Sequence, residues 1–161
     1  MYEVANEIRD IIAAACTTQF KKYYVGKIRY PFKMDLPCLS VYGISTNLES
    51  QLSTAKDKYT FEIKIDVFSP VYKYVATTGT ETTDVLLAQK AVYELMEKRT
   101  DGIPDANTVL GSLRRLAYLR GTNFLFTNNI TIDYTEELIE GSAYYKGTMT
   151  LNATTTFNTR V

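Results

Sequence analysis

At 161 residues, 45% hydrophobic and 22% charged, with a formal net charge of +0, the chain has the size and composition of a single globular domain, 1–161. That charge balance excludes a domain that holds nucleic acid by bulk attraction, which needs a strong basic excess. The chain has no His, so Ser-His and Cys-His pairs and the commonest metal ligand are missing; no enzyme activity, cofactor or metal is expected.

Residues 2–15 are predicted to be helical. Val4, Ile8, Ile11, Ile12 and Ala15 recur at helical spacing, and Glu3, Glu7, Arg9 and Asp10 take the other face. The stripe is narrow, so the helix should lie on a sheet. Its polar face lacks the basic bias of a membrane-surface helix. The start carries early acids and no long apolar stretch, unlike a signal peptide, and 11–16 is far short of the ~20 residues of a membrane span. Synthesis in the cytoplasm with no membrane partner is the expectation. Cys16 and Cys38 show no metal spacing and read as buried structural thiols.

In 17–36, Lys21, Lys22, Lys27, Arg29 and Lys33 interleave with Phe20, Tyr23, Tyr24, Tyr30 and Phe32. An amphipathic strand with snorkelling lysines explains the pattern, and a nucleic-acid surface would use the same residues. Pro31 and Pro37 break the segment into extended pieces. CLSVYGISTN, from Cys38, reads as a strand. The polar segment 47–58, with isolated Leu48 and Leu52, joins it to the next strand as an extended arm or long loop.

YTFEIKIDVFS, residues 59–69, is the clearest element. Tyr59, Phe61, Ile63, Ile65 and Val67 alternate with Thr60, Glu62, Lys64 and Asp66, the pattern of a half-buried antiparallel strand with a wet, charge-alternating face. A loop over 70–79 should follow, containing Tyr72 and Tyr74. A central helix at about 81–99 comes next. Thr80 or Thr82 caps it, Val85, Ala88, Val92 and Leu95 form its stripe, Lys98 and Arg99 close it, and Gly102 and Pro104 stop it.

Residues 107–119 fit a short helix through Val109, Leu110, Leu113 and Leu116, but Gly111 and the alternation LRRLAYLR allow a strand. Arg114, Arg115 and Arg120 read as a solvated edge rather than a phosphate contact. The end is a β-hairpin. Ile130, Ile132 and Tyr134 share a face, 136–142 is an acidic turn, and Tyr145, Met149, Leu151, Ala153 and Phe157 face inward. The 13 Tyr are read as filling half-buried strand positions, with a polar tip that also suits interfaces. No glycine-rich phosphate loop or nucleophile elbow is present, and the acids at 136–140 lack calcium-loop spacing.

The order of helix, strand hairpin with a long arm, capped helix and C-terminal hairpin resembles the tail terminator (tail completion) proteins of long-tailed bacteriophages. The stretches that carry the likeness are EVANEIRDIIAA, LPCLSVYGIS, YTFEIKIDVFS, TTDVLLAQKAVYELM and YYKGTMTLNATTTF; 107–119 has no place in the pattern. The resemblance implies an α+β protein, a mostly antiparallel sheet carrying the N-terminal and central helices. It further implies self-assembly as a ring, usually a hexamer. Such a ring caps the tail-tube protein, ends its polymerisation and meets the neck connector protein, while DNA passes through unbound. The subunit would form in the host cytoplasm and end at the tail–neck junction of the virion. On this reading Leu48, Glu49, Gln51, Leu52 and Lys56 meet a neighbour or the tube, and either Glu62 and Asp66 or the acidic turn with Glu136, Glu137 and Glu140 faces the channel. The rival readings are another head–tail joining or tail-tube subunit, and a small-molecule-binding α+β domain with a tyrosine-lined pocket.

Overall fold

The computed structural model describes residues 2–29, 31–51, 56–70, 72–75, 80–83, 85–114, 125–126, 130–139 and 142–158. Helix α1 (Tyr2–Ala15) leads into β1 (Lys22–Val25), a single 3-10 turn (Lys33–Asp35), and the long strands β2 (Cys38–Gln51) and β3 (Lys56–Pro70). A small ribbon of β4 (Tyr72–Val75) and β5 (Thr80–Thr83) precedes α2 (Val85–Glu97). Then come the two-residue strands β6 (Arg99–Thr100) and β7 (Ile103–Pro104), and α3 (Val109–Arg114). The chain finishes with β8 (Leu125–Phe126), β9 (Thr131–Ile139) and β10 (Ser142–Asn158).

The main sheet has six strands in the order β1-β2-β3-β10-β8, with β9 also on β10. All its pairings are antiparallel except β1 with β2. The fold is therefore α+β with a mostly antiparallel sheet, as the periodicities predict. One face of the sheet is covered: α1 lies on β1 and β2, α2 lies on β3 and β10, and α3 wedges between the two helices. Ile63, Ile65, Val67, Met149 and Leu151 meet Val4, Ile8, Ile12, Val92 and Met96 there, all nearly or wholly buried. Ala15, counted in the α1 stripe, is exposed, because the helix ends there and turns away.

The opposite face is not uniformly wet. At one end Leu36, Cys38, Phe68 and Tyr144 form a second apolar cluster, with Tyr24 packed against it. The Phe68 and Tyr144 rings meet edge to face at 5.4 Å. The hydroxyl of Tyr24 donates to Asp35 in the 3-10 turn, tying that turn to β1. The two cysteines fall on different faces, Cys16 in the helix-side core and Cys38 in this cluster, and both are free and buried.

Several boundaries differ from the sequence expectation, each for a backbone reason. The central helix starts at Val85 and ends at Glu97, not 81–99. Thr80 and Thr82 do not cap it but pair with Val75 and Lys73, so part of the expected 70–79 loop is strand. Gly102 does not terminate α2. Asp101 and Gly102, with φ of 53 and 78, form the two-residue turn between β6 and β7, the geometry that Asp-Gly favours. Of the extended arm or long loop expected over 47–58, the described part is a paired extension: β2 and β3 stay paired out to Gln51↔Lys56, and β10 continues the ladder to Asn158↔Lys56. The acidic 136–142 stretch is likewise mainly ladder, since β9 runs to Ile139 and β10 begins at Ser142. Residues 109–114 of the ambiguous segment are helix; 115–119 lie outside the described residues.

Candidate assembly surfaces

The three long strands project a ribbon past the helices. At its base Tyr59 and Phe61 stack, with ring centroids 6.3 Å apart. Leu48 is 54% exposed on β2, and Glu49 accepts from Lys58 across the ribbon at 3.2 Å. Gln51 and Lys56 are its last paired positions, and Leu52 lies outside the described residues. Leu48, Glu49, Gln51 and Lys56 are thus gathered on one paired element.

The acids expected to line a channel fall on two strands, Glu62 and Asp66 on β3 and Glu136 and Glu137 on β9. Glu62 is half-buried on the open face and accepts from the Ser45 hydroxyl at 3.0 Å. Asp66 does not face a channel, because it is buried, 2% exposed. Its two oxygens accept from Tyr42 on β2 at 3.0 Å and from Thr148 on β10 at 2.8 Å, so the neighbouring strands supply the hydrogen bonds a buried carboxylate needs. The last strand's alternation places Thr148 on the outward face, and nothing in the sequence marks Tyr42 or Thr148 as partners of Asp66. Their even spacing from other open-face residues was visible, but their position beside Asp66 depends on the pairing register. Glu136 and Glu137 sit in β9 opposite Tyr145 and Tyr144, and Glu140 lies outside the described residues.

Asp66 gives a direct test of this burial. Asp66→Ala removes the acceptor that Tyr42 and Thr148 share and should lower the unfolding free energy by about 2 kcal/mol, with Asp66→Asn nearer 1. Urea titration followed by circular dichroism checks it. A change within about 0.5 kcal/mol for Asp66→Ala, typical of surface sites, would place the carboxylate in water instead.

Several tyrosine hydroxyls among the described residues are satisfied within the fold. Tyr23 donates to the Cys16 carbonyl at 2.5 Å, Tyr134 to Glu97 at 2.7 Å, and Tyr144 to the Arg29 carbonyl at 3.4 Å. Burial and then the Glu97 carboxylate push the Tyr134 hydroxyl well above its ordinary range, so it stays a donor that pins the end of α2 to β9. Burial also pushes the Cys16 thiol up to about 11 and the Cys38 thiol up to about 12, from an ordinary 9.0. Both are therefore protonated and poor nucleophiles at neutral pH. Because the folded values are raised, the stabilisation is full below pH 9 and is lost as pH climbs through 11 to 12. A disulfide reagent at pH 8 should leave both thiols intact in the native chain for many minutes and titrate both in guanidinium. Rapid native reaction would show that these clusters open.

The sheet ends in two lateral edges. Among the described residues β1 pairs only with β2, and β9 only with β10. β1 covers β2 just as far as Val41, whose carbonyl accepts from Gly26 at 2.9 Å; there Gly26, with φ +115, turns the chain away. Beyond this point the outer edge of β2 carries no described partner. A groove of about 610 Å³ opens at the corner, lined by Tyr2, Val25, Lys27, Ile44 and Lys64. The strand is bulged at Gly43/Ser45, a common device on exposed edges.

Among the described residues no group of three or more His, Cys, Asp and Glu side chains could hold a metal ion, and no helix is long and apolar enough to cross a membrane. No protein-family model matches the chain, and no curated protein matches it.

Proposed function

We propose that the chain is a virion structural subunit whose copies join through their sheet edges into a closed ring. The ring caps a tail tube, ends its polymerisation and offers its other face to a neck connector. The observation that carries this reading is the pair of lateral edges, β1 on one side and β9 on the other, each bonded on one flank only among the described residues. A bare edge is a template for another strand, and two different edges on one subunit favour head-to-tail contacts, which close into rings when the rotation allows. The ribbon of β2, β3 and β10 supplies a reach toward a neighbour or the tube. A formal net charge of +0 leaves passing DNA without a bulk attraction. The hexameric count, the host cytoplasm as assembly site and the tail–neck junction as destination come from the resemblance to tail terminators.

Native mass spectrometry and electron images of the purified chain, alone and with polymerising tube protein, test the reading. One closed ring that stops tube growth is the expected result. Open-ended stacks would assign the chain to the tube, and solitary copies in both settings would end the assembly reading. Deleting 48–56 should leave the helices folded and weaken capping; unchanged capping would remove the ribbon from the contact.

A further inference from the structure

We infer that the basic edge around β1 of one copy pairs antiparallel with the acidic edge, β9, of the next. The inference rests on the ring reading above and names the two surfaces that meet.

Direction and height fit. β1 runs parallel to β2, and each step across β3, β10 and β9 reverses direction, so β9 runs opposite to β1. A second copy set beside the first with its helices on the same side therefore brings β9 antiparallel to β1. The pairing registers place Lys22, Cys38, Phe68, Lys146 and Thr135 in one row, and Val25, Val41, Ile65, Met149 and Ile132 in another. At equal height, Val25 of one copy faces Ile132 of the next, and Tyr23 faces Tyr134. All four are only partly buried among the described residues and lie on the helix side of the sheet. Edge pairing would complete their burial.

Charge fits as well. Lys21, Lys22, Lys27 and Arg29 are exposed on or beside β1, with no acid from 21 to 29. β9 contains Asp133, Glu136 and Glu137 and no basic residue, and Asp133 is exposed. The chain is neutral as a whole, yet these two edges carry opposite charge. Like charges oppose β1-to-β1 and β9-to-β9 pairing; only the head-to-tail contact brings opposite signs together. On the open face Lys22 lands opposite Thr135, with Asp133 on one diagonal within reach of a long side chain; Glu137 holds the register position of the other diagonal.

The test uses two charge-reversed chains, Lys21→Glu with Lys22→Glu, and Asp133→Lys with Glu137→Lys, examined by sedimentation velocity at low and high salt. The wild-type chain should assemble less tightly as salt rises. Each reversed chain alone should lose assembly by about tenfold or more while keeping the wild-type circular dichroism melt. An equimolar mixture of the two, and a chain carrying all four changes, should regain it. Wild-type assembly by either reversed chain, or no recovery on mixing two well-folded chains, overturns the edge assignment and leaves the ring reading standing. A wild-type chain that stays solitary at every salt and concentration overturns the ring reading itself.

Discussion

Gly111→Ala is expected to cost about 3 kcal/mol of folding stability and to lower the melting temperature by roughly 6–12 °C. The cause is space rather than backbone freedom. A Cβ built on Gly111 would lie 1.9 Å from the carbonyl oxygen of Asp105 and 2.7 Å from its carbonyl carbon. That carbonyl cannot swing away cheaply, because it already accepts from the Thr108 amide at 3.0 Å and the Thr108 hydroxyl at 2.7 Å. The same hydroxyl accepts from the Gly111 amide at 3.0 Å, so Thr108 caps α3 while holding the preceding turn against it. α3 is only one and a half turns long and could not persist alone. It is kept by Val109, Leu110 and Leu113, buried against α1 and α2, and by Cys16, whose thiol reaches the Asn107 carbonyl at 3.2 Å. Pushing the turn outward would unseat that wedge from both helices. The control is Gly102→Ala, where φ is +78 but nothing lies within 4 Å; strain in the left-handed region alone should cost about 1–2 kcal/mol. Thermal melts of the two variants decide it. A Gly111→Ala chain no less stable than Gly102→Ala would mean the Asp105 turn is loosely held.

How far these features could be read from sequence depends on whether the information is local. Tyr59 to Ser69 announces itself because burial on one face forces period two, and Phe61, Ile63, Ile65 and Val67 are indeed buried. Val4, Ile8 and Ile12 fix the inner face of α1 in the same way. The paired segments 47–51 and 56–58 are hard to read as strand from sequence, because the ladder is made by backbone groups and a run of mostly polar side chains leaves no periodic trace. Thr80–Thr83 looked like a helix start because threonines cap helices, yet β-branched residues pair equally well, and the partner at Tyr72–Val75 decided the matter. Asp66 looked wet because alternation reports faces, not what lies beside a residue on the next strand. The same limit governs the candidate site. The basic run after Phe20 and the acids after Thr131 are plain in the sequence, but that they occupy opposite edges at one height follows only from four pairing registers.

Phe68→Ala should cost about 3–5 kcal/mol, the range for deleting a buried aromatic ring. Phe68 is 1% exposed, although it lies on the face that carries no helix. Its partners Leu36, Cys38 and Tyr144 come from the segment after the 3-10 turn, from the start of β2 and from β10, and Tyr24 packs on from β1. The cluster therefore fastens β1 and its following turn to the sheet from behind, while Tyr23 and Val25 hold it from the helix side. Removing the ring leaves Ile63, Ile65 and Met149 packed under the helices, so the sheet should still form. What loosens first is β1, whose ends are tied by Lys21 donating to the Pro37 carbonyl and Gly26 donating to the Val41 carbonyl, each at 2.9 Å. Hydrogen exchange at those amides should accelerate before exchange in β3 does. Met96→Ala, also fully buried but on α2, is the matched comparison at about 2–5 kcal/mol. If β1 is one half of the contact between copies, Phe68→Ala weakens assembly well beyond Met96→Ala at equal residual stability, because only the first loosens the edge that a neighbour must meet. Equal loss of assembly in the two chains would show that the contact between copies does not run through β1.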